Sequence, residues 1–120
     1  MQSNLTIKEG NLLDAKEKYL GHQCNCTTIR SKHLAQQVFE KYPYANTYKN
    51  RSFNPKSISI PGTIDIFEND NDQKYIINIY AQYYPGGSKY NNDSYSLRMG
   101  WFKNCLDKIS QIPTSPVRAQ

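Results

Sequence analysis

The 120-residue chain has no apolar run approaching the roughly 20 residues that a bilayer span requires. Its first eight residues do not pair a positively charged start with an apolar stretch, so no secretory leader is expected. Cysteine is scarce. Three thiols are an odd set and too few for the disulfide framework of a small secreted domain, which points to reduced thiols and a cytoplasmic setting, with the nucleus still open. Blocks of like charge are missing too. Fifteen Lys and Arg against ten Asp and Glu give a formal net charge of +5, but the basic residues are scattered, which argues against a nucleic-acid arm and ranks direct nucleic-acid binding last. Internal repeats and low-complexity tracts are absent. What is present suits one packed domain: hydrophobic residues make up 38%, and ten Tyr add apolar area that hydropathy scales undercount.

Leu5-Thr6-Ile7-Lys8 alternates apolar and polar side chains up to Glu9-Gly10-Asn11, a short strand and a turn. Residues 12–20 have no clear period. Residues 22–26 read as a central strand, with Cys24 and Cys26 on one face. From Ser31, a plausible N-cap, Leu34, Ala35, Val38, Phe39 and Tyr42 recur at helical spacing until Pro43. Residues 44–61 carry turn residues and scattered Lys49, Arg51 and Lys56, a long connection. Residues 62–67 alternate as a strand, 69–73 form a polar turn, and 74–82 read as a nearly continuous buried strand, so the pair is a hairpin. Ser94 caps a second long helix with Met99, Phe102, Leu106 and Ile109 on one stripe. After Ile112 two prolines and no periodicity predict a loose tail.

Strands on either side of helices predict an α/β sandwich with ligands at the carboxyl ends of its central strands, near residues 27–33 and 82–88. The first segment, Asn25-Cys26-Thr27-Thr28-Ile29-Arg30-Ser31-Lys32-His33, runs from a strand into a helix start, where free N–H groups and the helix dipole favour an anion. It reads either as a phosphate or diphosphate cradle or as an ordinary polar turn. In the second, Tyr83-Tyr84-Pro85-Gly86-Gly87, the glycines allow close backbone approach and the rings allow stacking; a Tyr-rich surface loop is the alternative. His22 with Cys24 and Cys26 lacks the four ligands and the spacing of a zinc site. The acidic residues Asp65, Glu68, Asp70 and Asp72 do not match a calcium loop and read as a solvated turn.

In this order the pieces resemble the macro domain, a family that binds ADP-ribose and related metabolites and in some branches hydrolyses ADP-ribosyl groups or an ADP-ribose phosphate. The likeness rests on Ile7-Lys8-Glu9-Gly10-Asn11-Leu12-Leu13, on His22-Gln23-Cys24-Asn25-Cys26 and its loop, and on Leu34-Ala35 through Phe39 and Tyr42-Pro43. It continues through Pro61-Gly62-Thr63-Ile64, Ile76-Ile77-Asn78-Ile79-Tyr80-Ala81-Gln82 and the helix over 97–109. The resemblance implies a macro-like three-layer α/β/α sandwich with a mixed sheet over residues 1–112, lacking the family's last strand and helix, and a flexible tail over 113–120.

Carried over residue by residue, the family's acidic adenine contact falls at Asn11, beside Leu12, where an amide oxygen still accepts but without charge assistance. The loop-one Asn near the distal ribose corresponds to Asn25, and the following Gly-rich stretch to Arg30 through His33, where no glycine stands. Together with the two loops, the implied ligand contacts are Asn11, Leu12, Asn25, Thr27, Thr28, Ser31, Lys32, His33, Gln82, Tyr83, Gly86 and Gly87, with no metal and no cofactor. One hydrolase branch needs a Lys where Gln82 stands, and an amide cannot act as a cationic nucleophile. The resemblance therefore favours binding of ADP-ribose or a related nucleotide diphosphate over turnover; any activity would be hydrolysis of ADP-ribosyl groups or of ADP-ribose phosphate. The remaining partners are an ADP-ribosylated protein or, for a degenerate interaction module, a second copy pairing at an exposed sheet edge. No membrane partner is expected.

Overall fold

The run Tyr75-Ile76-Ile77-Asn78-Ile79-Tyr80-Ala81 is rich in the β-branched and aromatic side chains that suit a buried pleated surface. In the computed structural model it is the middle of strand β4 (Lys74–Gln82). The structure describes residues 5–7, 12–14, 16–54, 56–69, 74–112 and 117–119. In chain order the elements are β1 (Leu5–Ile7), a 3-10 turn (Leu12–Asp14), β2 (Tyr19–Asn25), α1 (His33–Lys41), a second 3-10 turn (Pro43–Ala45) and α2 (Thr47–Phe53). They continue with β3 (Ile64–Asn69), β4, α3 (Tyr95–Ser110) and β5 (Val117–Ala119).

The strands form one sheet in the order β1-β5-β2-β4-β3. β1 with β5, β5 with β2, and β2 with β4 run parallel, whereas β3 is antiparallel to β4, the expected hairpin. Pairing of β2 with β4 runs from Tyr19 against Tyr75 to Cys24 against Tyr80 and then shifts, so that Asn25 meets Gln82. An irregularity of this kind re-aims side chains at a strand end.

Alternate residues of β4 are buried on opposite faces. Ile76 and Tyr80 join Leu20, Cys24, Val38, Phe39 and Tyr48 beneath α1 and α2, while Ile77, Ile79 and Ala81 join Tyr19, Cys105 and Ile109 beneath α3. Ile76, Ile77 and Ile79 are each 0% exposed. At roughly 2–3 kcal/mol per buried isoleucine, this strand ties both helical layers to the sheet. Helices on both faces of a mostly parallel sheet make the three-layer α/β/α sandwich expected from the sequence. No helix among the described residues is long and apolar enough to cross a membrane.

Four expectations are corrected. Residues 44–61 are not one long connection: they contain α2, a seven-residue helix whose N-cap Asn46 accepts from Lys49 N–H at 3.0 Å. The N-cap of α1 is Lys32 rather than Ser31, and it makes no side-chain capping bond. Met99 is 51% exposed, and the buried positions of α3 are Cys105 and Ile109, so the apolar stripe begins a turn later. Val117–Ala119, expected in the loose tail, form β5 between β1 and β2, because short apolar and basic residues without periodicity still complete a ladder when two strands flank them. After α3 the structure therefore differs from the sequence expectation. A strand is present, and no helix follows it among the described residues.

Candidate functional site

Asn25 closes β2, and its side chain organises the loop that follows. Its Oδ1 accepts from Thr27 N–H (3.1 Å) and Thr28 N–H (2.9 Å), and its own N–H donates to Tyr48 Oη at 2.8 Å. An Asn that binds the backbone two and three residues ahead preorganises a turn. Thr28 Oγ1 accepts from Arg30 N–H at 3.3 Å and continues the turn toward α1. At the start of the helix, His33 takes φ +53°, a left-handed conformation that side chains other than glycine seldom adopt. With no capping side chain at Lys32, the N–H groups of His33, Leu34 and Ala35 have no protein acceptor among the described residues.

The second lip follows β4. Cys26 N–H and Thr27 Oγ1 both donate to Tyr83 O, at 3.0 and 3.2 Å, and fasten the two loops together. The loop after Tyr83 is held from behind by the 0%-exposed Asp93, which accepts from the N–H groups of Tyr83 (3.0 Å) and Tyr84 (2.9 Å) and from Arg98 Nη2 (2.7 Å). Burial alone would raise the Asp93 pKa, but the bonds from Arg98 and the two N–H groups outweigh it and hold the carboxyl below its ordinary value. Arg98 also donates to Gly86 O at 2.8 Å, and Gly86 has φ +83°, a backbone that the absent Cβ makes cheap. Gln82 is fixed as well: Gln23 Nε2 donates to its Oε1 (2.7 Å), and its Nε2 donates to Tyr84 O (3.0 Å).

Between the lips lies a cleft of about 730 Å³, lined by Gln23, Asn25, Thr28, Arg30, Lys32, His33, Leu34, Ala35, Tyr48, Gln82, Pro85 and Gly86. Two cations and a histidine face it, and among the described residues no Asp or Glu does. The N-terminus of α1 opens on it through Lys32, His33, Leu34 and Ala35.

No family model and no curated protein matches the sequence. Solved structures do match. The macrodomain of Thermus aquaticus DarG superposes with a TM-score of 0.59 at 13% identity, covering 96% of each chain. The macrodomain of Mycobacterium tuberculosis DarG gives the same TM-score and coverage at 15% identity. The chain has the macrodomain fold.

On this macrodomain scaffold, Asn25, Thr28, Lys32, His33, Gln82 and Gly86 of the sequence-derived set come together around one cleft. Asn11 lies outside the described residues. The others do not line the cleft. Leu12 is a core residue at 2% exposure, because its turn faces the layer under α1. Thr27 and Tyr83 are spent on joining the lips, and Ser31 and Gly87 lie beside the cleft rather than in its wall. The lining residues outside that set are Gln23, Arg30, Leu34, Ala35, Tyr48 and Pro85. Arg30 and Pro85 belong to the two loops already singled out, and Gln23 lies two residues before Asn25. Tyr48 carries no sequence signal, since its helix has no apolar period. The three thiols are buried, and burial disfavours the thiolate: it pushes Cys26 up to about 12 and Cys105 up to about 11, and raises Cys24 as well. Among the described residues no three His, Cys, Asp or Glu side chains are grouped to hold a metal ion.

Proposed function

We propose that the protein binds ADP-ribose or a related nucleotide diphosphate in the cleft between residues 27–33 and 82–88. The observation that carries this reading is the uncapped start of α1 opening on a cleft that Arg30, Lys32 and His33 line, with no carboxylate among the described residues of its wall. Helix N–H groups and their dipole favour an anion, and guanidinium and ammonium groups add charge-assisted donors. Leu34, Ala35, Tyr48 and Pro85 supply apolar wall for ribose and base, and about 730 Å³ lies within the range of roughly 300–1,000 Å³ usual for small-molecule sites. In the stretch where the family resemblance calls for glycine, His33 holds a left-handed backbone that glycine adopts without strain, at an energetic cost of roughly 1–2 kcal/mol. The likeness to the two DarG macrodomains is one of fold and is consistent with this use of the cleft.

Titration calorimetry with ADP-ribose, AMP and inorganic phosphate tests the reading. Saturable heat is expected with ADP-ribose below millimolar ligand, with AMP weaker and phosphate weakest. Lys32→Glu, which places a carboxylate at the cleft, is expected to weaken ADP-ribose by about tenfold or more. Absence of heat at millimolar ADP-ribose would overturn the proposal.

A further inference from the structure

Arg51, on α2, is the largest fully buried side chain at 1% exposure. Its guanidinium has no carboxylate partner among the described residues. Nη1 donates to Thr28 O at 2.9 Å, and Nη2 donates to Asn25 O at 3.0 Å and to Ser59 Oγ at 2.7 Å. The rings of Tyr48 and Tyr80 lie 4.9 and 5.9 Å from the guanidinium carbon, and Nε is buried with no acceptor among the described residues. Desolvating a guanidinium costs several kcal/mol, and carbonyl dipoles and ring faces offset only part of that. An apolar side chain of similar volume would fill this space without the penalty.

The partners of Arg51 are the cleft wall itself. Asn25, Thr28 and Tyr48 all line the cleft, so the charge sits one peptide plane behind it. A trans peptide whose carbonyl is drawn one way turns the following N–H the other way. Arg51 holds Thr28 O inward, so the Ile29 N–H points away from the core, between the cleft residues Thr28 and Arg30, and has no acceptor among the described residues. We propose that Arg51 is the positioning residue of the cleft: it fixes the 25–28 loop from behind and biases that wall toward an anionic ligand. This rests on the nucleotide-diphosphate reading above. A bound diphosphate in turn compensates a buried charge that has no counter-ion among the described residues.

The test is calorimetry with two ligands, ADP-ribose and the uncharged adenosine, on the wild-type protein, Arg51→Gln and Arg51→Lys, each checked for folding by circular dichroism. In Arg51→Gln the affinity for ADP-ribose is expected to fall by about tenfold or more while that for adenosine changes less than about twofold, and the salt dependence of ADP-ribose binding is expected to flatten. Arg51→Lys keeps the charge but cannot bridge both carbonyls, so about threefold to tenfold weaker ADP-ribose with unchanged adenosine is expected. This second variant decides the matter if the glutamine variant does not fold. Wild-type affinity for ADP-ribose in a folded variant, or equal losses for both ligands, overturns the positioning role alone. A wild-type protein that binds neither ligand overturns the nucleotide reading, and the role of Arg51 with it.

Discussion

His22 lies wholly inside the protein, with Nε2 2.8 Å from Asn78 Oδ1 and the Phe39 ring edge-on at 5.2 Å. Asn78 Nδ2 donates to Ala45 O (2.9 Å) and Thr47 Oγ1 (3.1 Å), which turns Oδ1 toward the imidazole and assigns the proton to Nε2. Burial lowers the His22 pKa from 6.5 to about 4, partly opposed by the bond to Asn78. In the sequence His22 stands near Cys24 and Cys26 like half a metal site; the structure makes it a neutral core residue. Because the folded pKa is depressed, its contribution to stability is fully present above about pH 6.5. It is lost as pH falls toward 4, where only the unfolded chain takes up the proton, on the order of 3 kcal/mol in all. Urea unfolding at about pH 7 and about pH 4.5 is expected to show the wild-type protein losing roughly 2–3 kcal/mol more than His22→Gln. Equal losses would contradict the assignment.

At the scale of elements, α2 decides the cleft although its sequence does not announce it. Thr47-Tyr48-Lys49-Asn50-Arg51-Ser52-Phe53 has no apolar stripe, and seven residues are too few to be helical on propensity alone. Tertiary packing of Tyr48 (3% exposed) and Arg51 holds it, with Asn46 as its cap. Removal of the cap by Asn46→Ala is expected to lower stability by about 1 kcal/mol in thermal melts and, because Tyr48 and Arg51 ride on this helix, to weaken ADP-ribose as well. A melt identical to that of the wild-type protein would show that packing alone sets the start of α2. By contrast α3 is legible: Ser94 is the predicted cap, and its hydroxyl accepts from Leu97 N–H at 3.2 Å.

For the whole molecule the decisive contact is β5, the strand between β1 and β2. Among the described residues β5 is the only strand neighbour of β1, with Leu5 against Val117 and Ile7 against Ala119. A chain ending at Ile112 would leave β1 unpaired and expose one edge of β2. Such a truncation is expected to lower the melting midpoint by at least about 5 °C or to broaden the transition, read by circular dichroism. An unchanged melt would show that β5 adds nothing to the cooperative fold.

The β3–β4 hairpin, the burial of β4, the helices α1 and α3, the α3 cap and the loops at 27–33 and 82–88 were legible in the sequence, because each depends on local period, turn chemistry or a capping residue within a few positions; α2 and β5 were not, because packing and flanking strands hold them. What only the tertiary structure decided is which side chains of those loops face one another. Asn25 is aimed by a register shift against Gln82, the lips are fastened by Cys26 and Thr27 donating to Tyr83 O, and β5 enters the sheet from the far end of the chain. These are pairings between residues distant in sequence. No local pattern encodes a hydrogen bond whose partner lies dozens of residues away, and a buried cation such as Arg51 cannot be told from a surface one until the chain has closed over it.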